Sequence, residues 1–252
     1  MADNISDISD GLGRVVLDHP PLNILTRAVL AELRASLARL AAEPELRAVL
    51  LTATGKHFSA GADVGEHLPP GYLELIPEFL DTVADLAEFP VPVVAAVRGR
   101  CLGGGFELAL GADMILAGDS AVFGQPEIML GVLPPVTCVL LPKLASPSLA
   151  AEVVFTGDVL DADRALSTGI VNRVVPDADV EAEAEDLVRQ MTRHSAAALR
   201  VGKRMLRGDP GDLRAELREA GRLYDEELMT TADAIEGLTA FLEKRKPEWT
   251  HR

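Results

Sequence analysis

Helical and strand patterns alternate along the first half of the chain. Apolar residues at intervals of three and four predict a helix over about 26–42, and a second amphipathic helix is predicted over about 72–88. The first of these patterns is carried by Leu30, Leu33, Leu37 and Leu40. Short apolar runs predict buried strands at 14–17, 47–52, 93–97 and 113–117. Strands that alternate with helices favour an α/β fold, in which helices cover a sheet.

The second half of the chain is mostly helical in pattern. Asp161 can cap a short helix that stops near Gly169, and a strand is predicted over 170–175. A break is predicted at 209–211, where proline and glycine follow an aspartate. Helices are predicted on both sides of this break, at about 179–194, 195–207, 211–229 and 231–244.

The composition indicates a folded protein with a sizeable core. Of the 252 residues, 48% are hydrophobic and 25% are charged, and no apolar run is long enough to cross a membrane. The N-terminus is acidic and polar, unlike a secretory signal. The two cysteines, Cys101 and Cys138, are too few for a disulfide framework, so we expect a cytoplasmic protein. We expect Cys101 to be a small buried residue rather than a catalytic thiol.

The charge balance limits the partners that the chain can bind. A net charge of −15 argues against a nucleic-acid or anionic-membrane surface. A local basic cluster can still hold a phosphorylated ligand, although most charge runs are solvated faces. Two such clusters occur, one formed by Lys203, Arg204 and Arg207 and the other by Lys244, Arg245 and Lys246.

A glycine-rich segment at 103–107 is the clearest chemical signal in the chain. Three glycines follow the predicted strand at 93–97, and Glu107 follows them at the start of a predicted helix. Glycines at such a turn let the backbone approach a bound group and direct N–H groups towards it. The alternative is a tight turn with a glutamate in the first turn of a helix.

Two further segments strengthen the interpretation of a catalytic site. Residues 55–63 form another turn of small residues directly after a predicted strand, and residues 123–127 end in a second carboxylate, Glu127. Two turns that expose N–H groups and two carboxylates can form one site. The donors then hold a developing oxyanion while the carboxylates move protons.

Together the three segments resemble the crotonase (enoyl-CoA hydratase/isomerase) superfamily, from about Gly13 to Trp249. The resemblance implies a spiral of strand-strand-helix units over residues 1–190, which would carry the acyl-CoA site. It also implies a C-terminal helical oligomerisation region over residues 191–252, and a homotrimer or a dimer of trimers. The substrate would be an acyl-CoA thioester, with coenzyme A present as part of the substrate and no permanently bound cofactor or metal.

The resemblance also assigns site residues by motif. Ala62 and Gly104 would donate their backbone N–H groups to the thioester carbonyl, and Glu107 and Glu127 would be the acid/base pair. CoA would be held by the loop 21–25, with Asn23 and Leu25, and by the backbone near Lys56 and Ala60. The other residues expected to hold it are Asp63, Phe241 and Lys244. The acyl group would meet Leu75, Ile76, Phe79 and Pro135. Asp63, Glu66 and His67 are spaced too loosely to predict a metal site.

The chain departs from the family pattern at Pro135. Typical hydratases have a glycine there, whose N–H helps to hold the nucleophilic water, and proline has no N–H. Either the water is held otherwise or the substrate differs. The Pro134-Pro135 pair, with residues 98–101 and 241–247, resembles cyclohexa-1,5-diene-carbonyl-CoA hydratases, which act on cyclic dienoyl thioesters.

The function expected from the resemblance is addition of water across the C=C bond of an enoyl- or cyclic dienoyl-CoA. The nearest alternative is a Δ3–Δ2 enoyl-CoA isomerase, in which one glutamate moves a proton and no water is used. A non-catalytic protein of the same fold, binding acyl-CoA or RNA, is a different class. The presence of both glutamates argues against a non-catalytic acyl-CoA-binding protein, and the acidic net charge argues against an RNA-binding protein.

Overall fold

The computed structural model describes residues 5–208 and 210–252. The acidic segment before residue 5 and Asp209 of the predicted break lie outside the described residues. Among the helices of these two ranges, none combines the length and the apolar character needed to cross a bilayer.

The strands of the described residues form two sheets. They are β1 (Ile5–Ser9), β2 (Leu12–Leu17), β3 (Ala48–Ala53), β4 (Val93–Val97), β5 (Arg100–Leu102), β6 (Met114–Gly118), β7 (Val122–Gly124), β8 (Val159–Asp161) and β9 (Arg173–Val175). The larger sheet has the order β1-β2-β3-β4-β6-β9, and its pairs are parallel except for β1 with β2. The smaller sheet has the order β5-β7-β8, with β5 parallel and β8 antiparallel to β7.

Helices cover the larger sheet and dominate the second half of the chain. They are α1 (Arg27–Ala41), α2 (Tyr72–Ala87), α3 (Gly104–Leu110), α4 (Pro135–Leu144), α5 (Pro147–Thr156), α6 (Ala162–Ser167), α7 (Val180–Thr192), α8 (Ala196–Arg207), α9 (Pro210–Leu223) and α10 (Ala232–Leu242). Two 3-10 turns, Gly65–His67 and Pro126–Leu130, and one π-helical turn, Tyr224–Leu228, complete the regular structure of the described residues.

Burial explains why the apolar runs form these strands. Every residue of β3 and β4 is buried, as expected for parallel strands covered on both faces. On one face α1 packs against α2, and the four leucines of the predicted helical stripe are all buried. On the other face α7 packs against the sheet, with Val180, Ala184 and Val188 in a cluster with Leu50 and Val94.

The sequence predicted the longer elements and missed the shorter ones. The predicted helices at 26–42 and 72–88 and the four predicted strands of the first half are confirmed within one or two residues. Asp161 caps α6 as predicted, accepting a hydrogen bond from the Arg164 N–H at 2.8 Å. The strand predicted over 170–175 is confined to β9, and the helix predicted over 211–229 changes to a π-helical turn after Leu223.

The basic cluster on α8 stabilises the fold. Lys203 is buried, its Nζ lies 2.7 Å from Asp113 Oδ2, and it donates to the Val91 carbonyl at 3.1 Å. Arg207 pairs with Asp113 Oδ1 at 2.9 Å. Two cations of this cluster are therefore engaged inside the chain. Neither Lys203 nor Arg207 is therefore part of a simple solvated face.

Candidate active site

The glycine turn and the end of β7 bring backbone and carboxylate close together. Gly103 has φ +53°, a conformation that favours glycine, and it ends the connection from β5 to α3. A Cβ atom built at Gly103 would lie 2.5 Å from Glu127 Oε1. Position 103 therefore excludes side chains both by backbone conformation and by contact with the carboxylate.

Two backbone N–H groups lie side by side beyond this turn. A Cβ atom at Gly104 would lie 3.2 Å from the Ala62 nitrogen, and one at Gly61 would lie 3.6 Å from the Gly104 nitrogen. Leu25 bonds to the residues flanking Ala62: its N–H donates to Gly61 at 3.0 Å and its carbonyl accepts from Asp63 at 3.2 Å. The Ala62 N–H therefore points away from Leu25. Neither amide nitrogen has an acceptor within the part of the chain that the structure describes.

Glu107 lies on α3 with its side chain buried, only 3% exposed. The Thr137 N–H, in the first turn of α4, donates to Glu107 Oε1 at 2.9 Å. Burial raises the pKa of Glu107 to about 7, although the N–H groups of Thr137 and Val136 oppose this shift by stabilising the anion. Glu107 can therefore gain or lose a proton near neutral pH.

Glu127 lies on the 3-10 turn Pro126–Leu130 and is half-buried. Burial and the negative charge of Glu107 both raise the pKa of Glu127 well above its usual value. Because each charge disfavours the other, the pair holds one proton more readily than none at neutral pH. The two carboxyl groups are thus suited to carry one acid and one base.

Gln125 and Thr137 connect the two carboxyl groups. Both side chains are fully buried. The Gln125 amide forms hydrogen bonds on both sides when its nitrogen faces Glu127. In this orientation the nitrogen donates to Glu127 Oε2 at 3.0 Å, and the amide oxygen accepts from the Thr137 hydroxyl. Thr137 therefore contacts Glu107 through its N–H and Glu127 through Gln125. Sequence reasoning missed both residues; the available signal was a polar residue inside a buried segment, which normally has a partner.

One cavity of about 740 Å³ opens onto these groups. Its size and apolar walls are typical of a small-molecule site. The structure brings most of the predicted site residues together in its wall: Ala60, Ala62, Asp63, Leu75, Ile76, Phe79, Gly104, Glu107, Glu127, Pro135 and Phe241. The cavity wall also contains Leu22 and Ile24, from the loop 21–25 that was expected to hold CoA, and Tyr224, which sequence reasoning did not assign to the site.

Four predicted binding residues lie outside the cavity wall. Asn23 is buried and holds its loop together, donating to the carbonyls of Thr54 and His57 at 3.0 and 2.8 Å. Leu25 is fully buried in the core. Their neighbours in the same loop, Leu22 and Ile24, line the cavity. The other two, Lys56 and Lys244, are exposed at the surface.

Helix α10 closes the cavity from within the same chain. Leu238, Phe241 and Leu242 line it, and Phe241 remains 54% exposed. Asp63, also in the cavity wall, accepts a hydrogen bond from the Glu66 N–H at 3.0 Å and so caps the 3-10 turn Gly65–His67. Cys101 is fully buried, and burial raises the pKa of its thiol, as expected of a small core residue.

The chain is similar to known proteins over nearly its whole length. The model of the enoyl-CoA hydratase/isomerase family matches residues 7–252. Cyclohexa-1,5-dienecarbonyl-CoA hydratase of Thauera aromatica is 38% identical over 240 residues, covering 95% of this chain and 93% of that protein. Carnitinyl-CoA dehydratase of Escherichia coli K12 is 35% identical over 248 residues, covering 94% of each.

The fold comparison agrees with these relationships. A solved enoyl-CoA hydratase/isomerase from Pseudoalteromonas atlantica T6c superimposes with a TM-score of 0.89 and 30% identity, covering 98% of this chain and 100% of that one. The expected α/β spiral with a C-terminal helical region is therefore confirmed. On sequence and on structure, this chain belongs to the enoyl-CoA hydratase/isomerase family, the crotonase superfamily.

Proposed function

We propose that this protein is a lyase that adds water across the C=C bond of an enoyl- or cyclic dienoyl-CoA thioester. The observation that carries the proposal is one apolar cavity lined by two unpartnered N–H groups and two carboxyl groups with raised pKa values. Coenzyme A would enter as part of the substrate. The proposal requires no resident cofactor and no metal.

The N–H groups of Ala62 and Gly104 would receive the thioester oxygen. Attack of water at C3 moves the electrons of the C=C bond towards the carbonyl, which becomes an enolate. Two aligned donors stabilise that negative charge, and one such donor contributes about 10²–10³ in rate in other oxyanion holes. Neither N–H has an acceptor in the described residues, so both donors are available to a ligand.

The carboxyl pair would complete the proton transfers. The ionised member takes a proton from water as the oxygen bonds to C3, and the protonated member delivers a proton to C2 as the enolate collapses. Burial and mutual repulsion support this division, because they favour one neutral and one charged member. The Gln125–Thr137 bridge fixes the relative positions of the two groups.

The isomerase alternative needs a single carboxylate and no water. The shared hydrogen-bond bridge between two carboxyl groups favours the hydratase, as do the names of the related proteins. A non-catalytic binding protein would have no use for two carboxyl groups that are connected by one hydrogen-bonded bridge and have raised pKa values. Hydration of a panel of linear and cyclic enoyl-CoA thioesters, followed by the loss of their conjugated absorbance, tests the proposal. A protein that binds these thioesters without hydrating any of them would contradict it.

Pro135 supports a cyclic dienoyl substrate. It starts α4 at the cavity wall, where it offers no N–H to a water molecule. A related protein, from Thauera aromatica, is named as a cyclohexa-1,5-dienecarbonyl-CoA hydratase, which is the activity proposed for this chain. We therefore expect linear crotonyl-CoA to be a poorer substrate than a cyclic dienoyl-CoA.

Replacing Pro135 by glycine is expected to improve hydration of crotonyl-CoA relative to the cyclic substrate. The variant restores an N–H donor, and it lowers stability by about 0.4–1 kcal/mol because the unfolded chain gains freedom. Pro147→Gly, at the first position of α5, is the matched control for the loss of a proline at a helix start. The measurement is the ratio of kcat/KM for the two substrates. An unchanged ratio in Pro135→Gly would leave Pro135 with a purely structural role.

Lys244 would contact the phosphates of CoA at the edge of the cavity. It follows α10 in the left-handed conformation, with φ +56°, a position where helices usually have glycine. Its N–H donates to Phe241 at 3.1 Å and the Arg245 N–H donates to Ala240 at 2.9 Å, which closes the helix end. The exposed ammonium group therefore projects from a well-defined position beside the cavity residue Phe241.

Lys244→Ala is expected to raise KM for CoA thioesters several-fold with little change in kcat, as for loss of uniform binding. Lys244→Gly removes the same charge while relaxing the backbone, so it should raise KM equally. Lys246→Ala, which removes a nearby exposed lysine, should leave KM unchanged. If KM rises in Lys244→Ala but not in Lys244→Gly, the increase comes from backbone strain at position 244 and not from loss of the charge.

We further propose that the protein assembles as a homotrimer or a dimer of trimers. Exposed apolar side chains on α5, β8 and α6 support an interface between copies: Phe155, Val159 and Leu166. Light scattering on the same preparations measures the assembly, and a fully active monomer would contradict it.

A further inference from the structure

Tyr224 brings a third polar group into the cavity beside the two carboxyl groups. Its side chain is only 3% exposed, and it belongs to the cavity wall. Its hydroxyl has no hydrogen-bond partner among the described residues. Buried hydroxyl groups nearly always have a partner, so this one is expected to bond to something that enters the cavity.

The local backbone holds this side chain in place. Tyr224 begins the π-helical turn, in which the Met229 N–H donates to the Tyr224 carbonyl at 2.9 Å. Such turns occur often at functional sites, where they redirect a side chain. One turn earlier, Gly221 lets α9 approach α2, since a Cβ atom there would lie 2.6 Å from Leu80 Cδ1. The phenol is thus presented to the cavity by a closely packed helix.

The surroundings of the hydroxyl define what it can bind. Burial raises the pKa of Tyr224, and the charges of Glu127 and Glu107 raise it further. The phenol therefore remains protonated at neutral pH and is available as a donor. Asp225 and Tyr72 add smaller contributions in the same direction. Tyr224, Glu107 and Glu127 all line the same cavity. Asp233 and Glu236 on α10 face the other way, bonded to Thr250 and Arg245.

Three other polar side chains of the cavity wall, those of Asp63, His67 and Arg245, are already engaged. The Asp63 carboxylate caps a 3-10 turn, and His67 Nδ1 lies 2.8 Å from the Asp63 carbonyl. Arg245 forms an ion pair with Glu236, which is not one of the two active-site carboxyl groups. Tyr224 differs from these residues, because its donor has no acceptor in the described chain and it lines the same cavity as the two carboxyl groups.

We propose that the Tyr224 hydroxyl donates a hydrogen bond to the oxygen atom that the reaction adds at C3. In the substrate complex this oxygen belongs to the attacking water, and in the product it is the 3-hydroxyl group. The inference rests on the proposed function, because hydration is what places an oxygen atom there. Tyr224 itself neither gains nor loses a proton; it orients the oxygen while the carboxyl groups exchange protons with it.

The test compares ligands that differ only in this hydroxyl group. One pair is 3-hydroxybutyryl-CoA and butyryl-CoA; the other is 2-hydroxycyclohexane-1-carbonyl-CoA and cyclohexane-1-carbonyl-CoA. Dissociation constants are measured by calorimetry for the wild-type protein and Tyr224→Phe. We expect the variant to bind the hydroxylated member about tenfold more weakly, the size of one good hydrogen bond, and the saturated member unchanged.

Two controls separate ligand contact from a structural role. Tyr72→Phe removes the hydroxyl of the other tyrosine, which lies outside the cavity wall, and should change neither dissociation constant. Tyr224→Phe should keep the Tm of the wild-type protein, since the hydroxyl has no partner to lose. A marked drop in Tm would reveal a structural partner and overturn the inference.

The remaining outcomes distinguish this inference from the proposed function. If the wild-type protein binds the thioesters and Tyr224→Phe weakens both members of a pair equally, or neither, Tyr224 does not recognise the hydroxyl group. The proposed function would then stand without it. If the wild-type protein binds none of the four thioesters, the proposed function fails and the inference fails with it.

Discussion

Glu107→Gln and Glu127→Gln are each expected to reduce kcat for hydration by at least about 10²-fold, the usual share of a positioned acid or base. Glutamine keeps the shape of the side chain but cannot exchange a proton. Because the carboxyl groups lie among apolar walls rather than at the CoA end, the dissociation constant of a saturated acyl-CoA should change little. The measurement combines steady-state turnover with calorimetric binding.

The pH profile gives this prediction a second readout. Burial raises the pKa of Glu107 to about 7, so below neutral pH both members of the pair are protonated and the base is lost. Wild-type turnover should therefore fall as the pH is lowered through the neutral range, and Glu107→Gln should lose this dependence. Glu74→Gln, on the exposed start of α2, is the control and should behave as wild type. Near-normal turnover in either active-site variant would remove that residue from the mechanism.

Gly103→Ala is expected to reduce turnover about as strongly as loss of Glu127, by roughly 10²-fold. The added Cβ would lie 2.5 Å from Glu127 Oε1, so the carboxyl group must move away from its bridge to Gln125. The backbone at φ +53° is also unfavourable for alanine, and such strain costs about 1–3 kcal/mol. Turnover and the free energy of unfolding, measured on one preparation, check both effects.

Gly202→Ala is the matched control for this substitution. Gly202 lies inside α8, and a Cβ atom there would meet no atom within 4 Å. Alanine should therefore stabilise the helix by about 0.5–1 kcal/mol and leave turnover unchanged. If Gly103→Ala is as active and as stable as Gly202→Ala, the contact with Glu127 has no functional importance.

The sequence predicted the elements whose signal is local. The leucine stripe of α1 and the apolar run of β4 each predict their element from the positions of buried residues alone. The three short segments that resemble the family also led to Ala62, Gly104, Glu107 and Glu127, because these residues are defined by turns next to strands. Their meeting in one cavity depends on β5 and β7, which are parallel neighbours in the smaller sheet, and on the parallel bridge between Ser59 and Cys101, which joins the turn 55–63 to β5.

Other features depend on contacts that no local pattern contains. No bounds were predicted for α4 and α5, because Pro142 and Pro147 suggest breaks, although Pro147 stands at a helix start, where proline is tolerated. Tyr224 reaches the cavity only through the packing of α9 and its π-helical turn. Lys203 looked like a surface cation until the fold placed Asp113 beside it.

The double role of Thr137 affects how this site can evolve. Its backbone holds Glu107 and its side chain holds Glu127 through Gln125, so both carboxyl groups are attached to the first turn of α4. A substitution that shifts this turn moves the two groups together and preserves their spacing. We expect new acyl groups to be accommodated by gradual displacement of the pair relative to the two N–H donors. Pro135, at the start of the same turn, is where such displacement would begin.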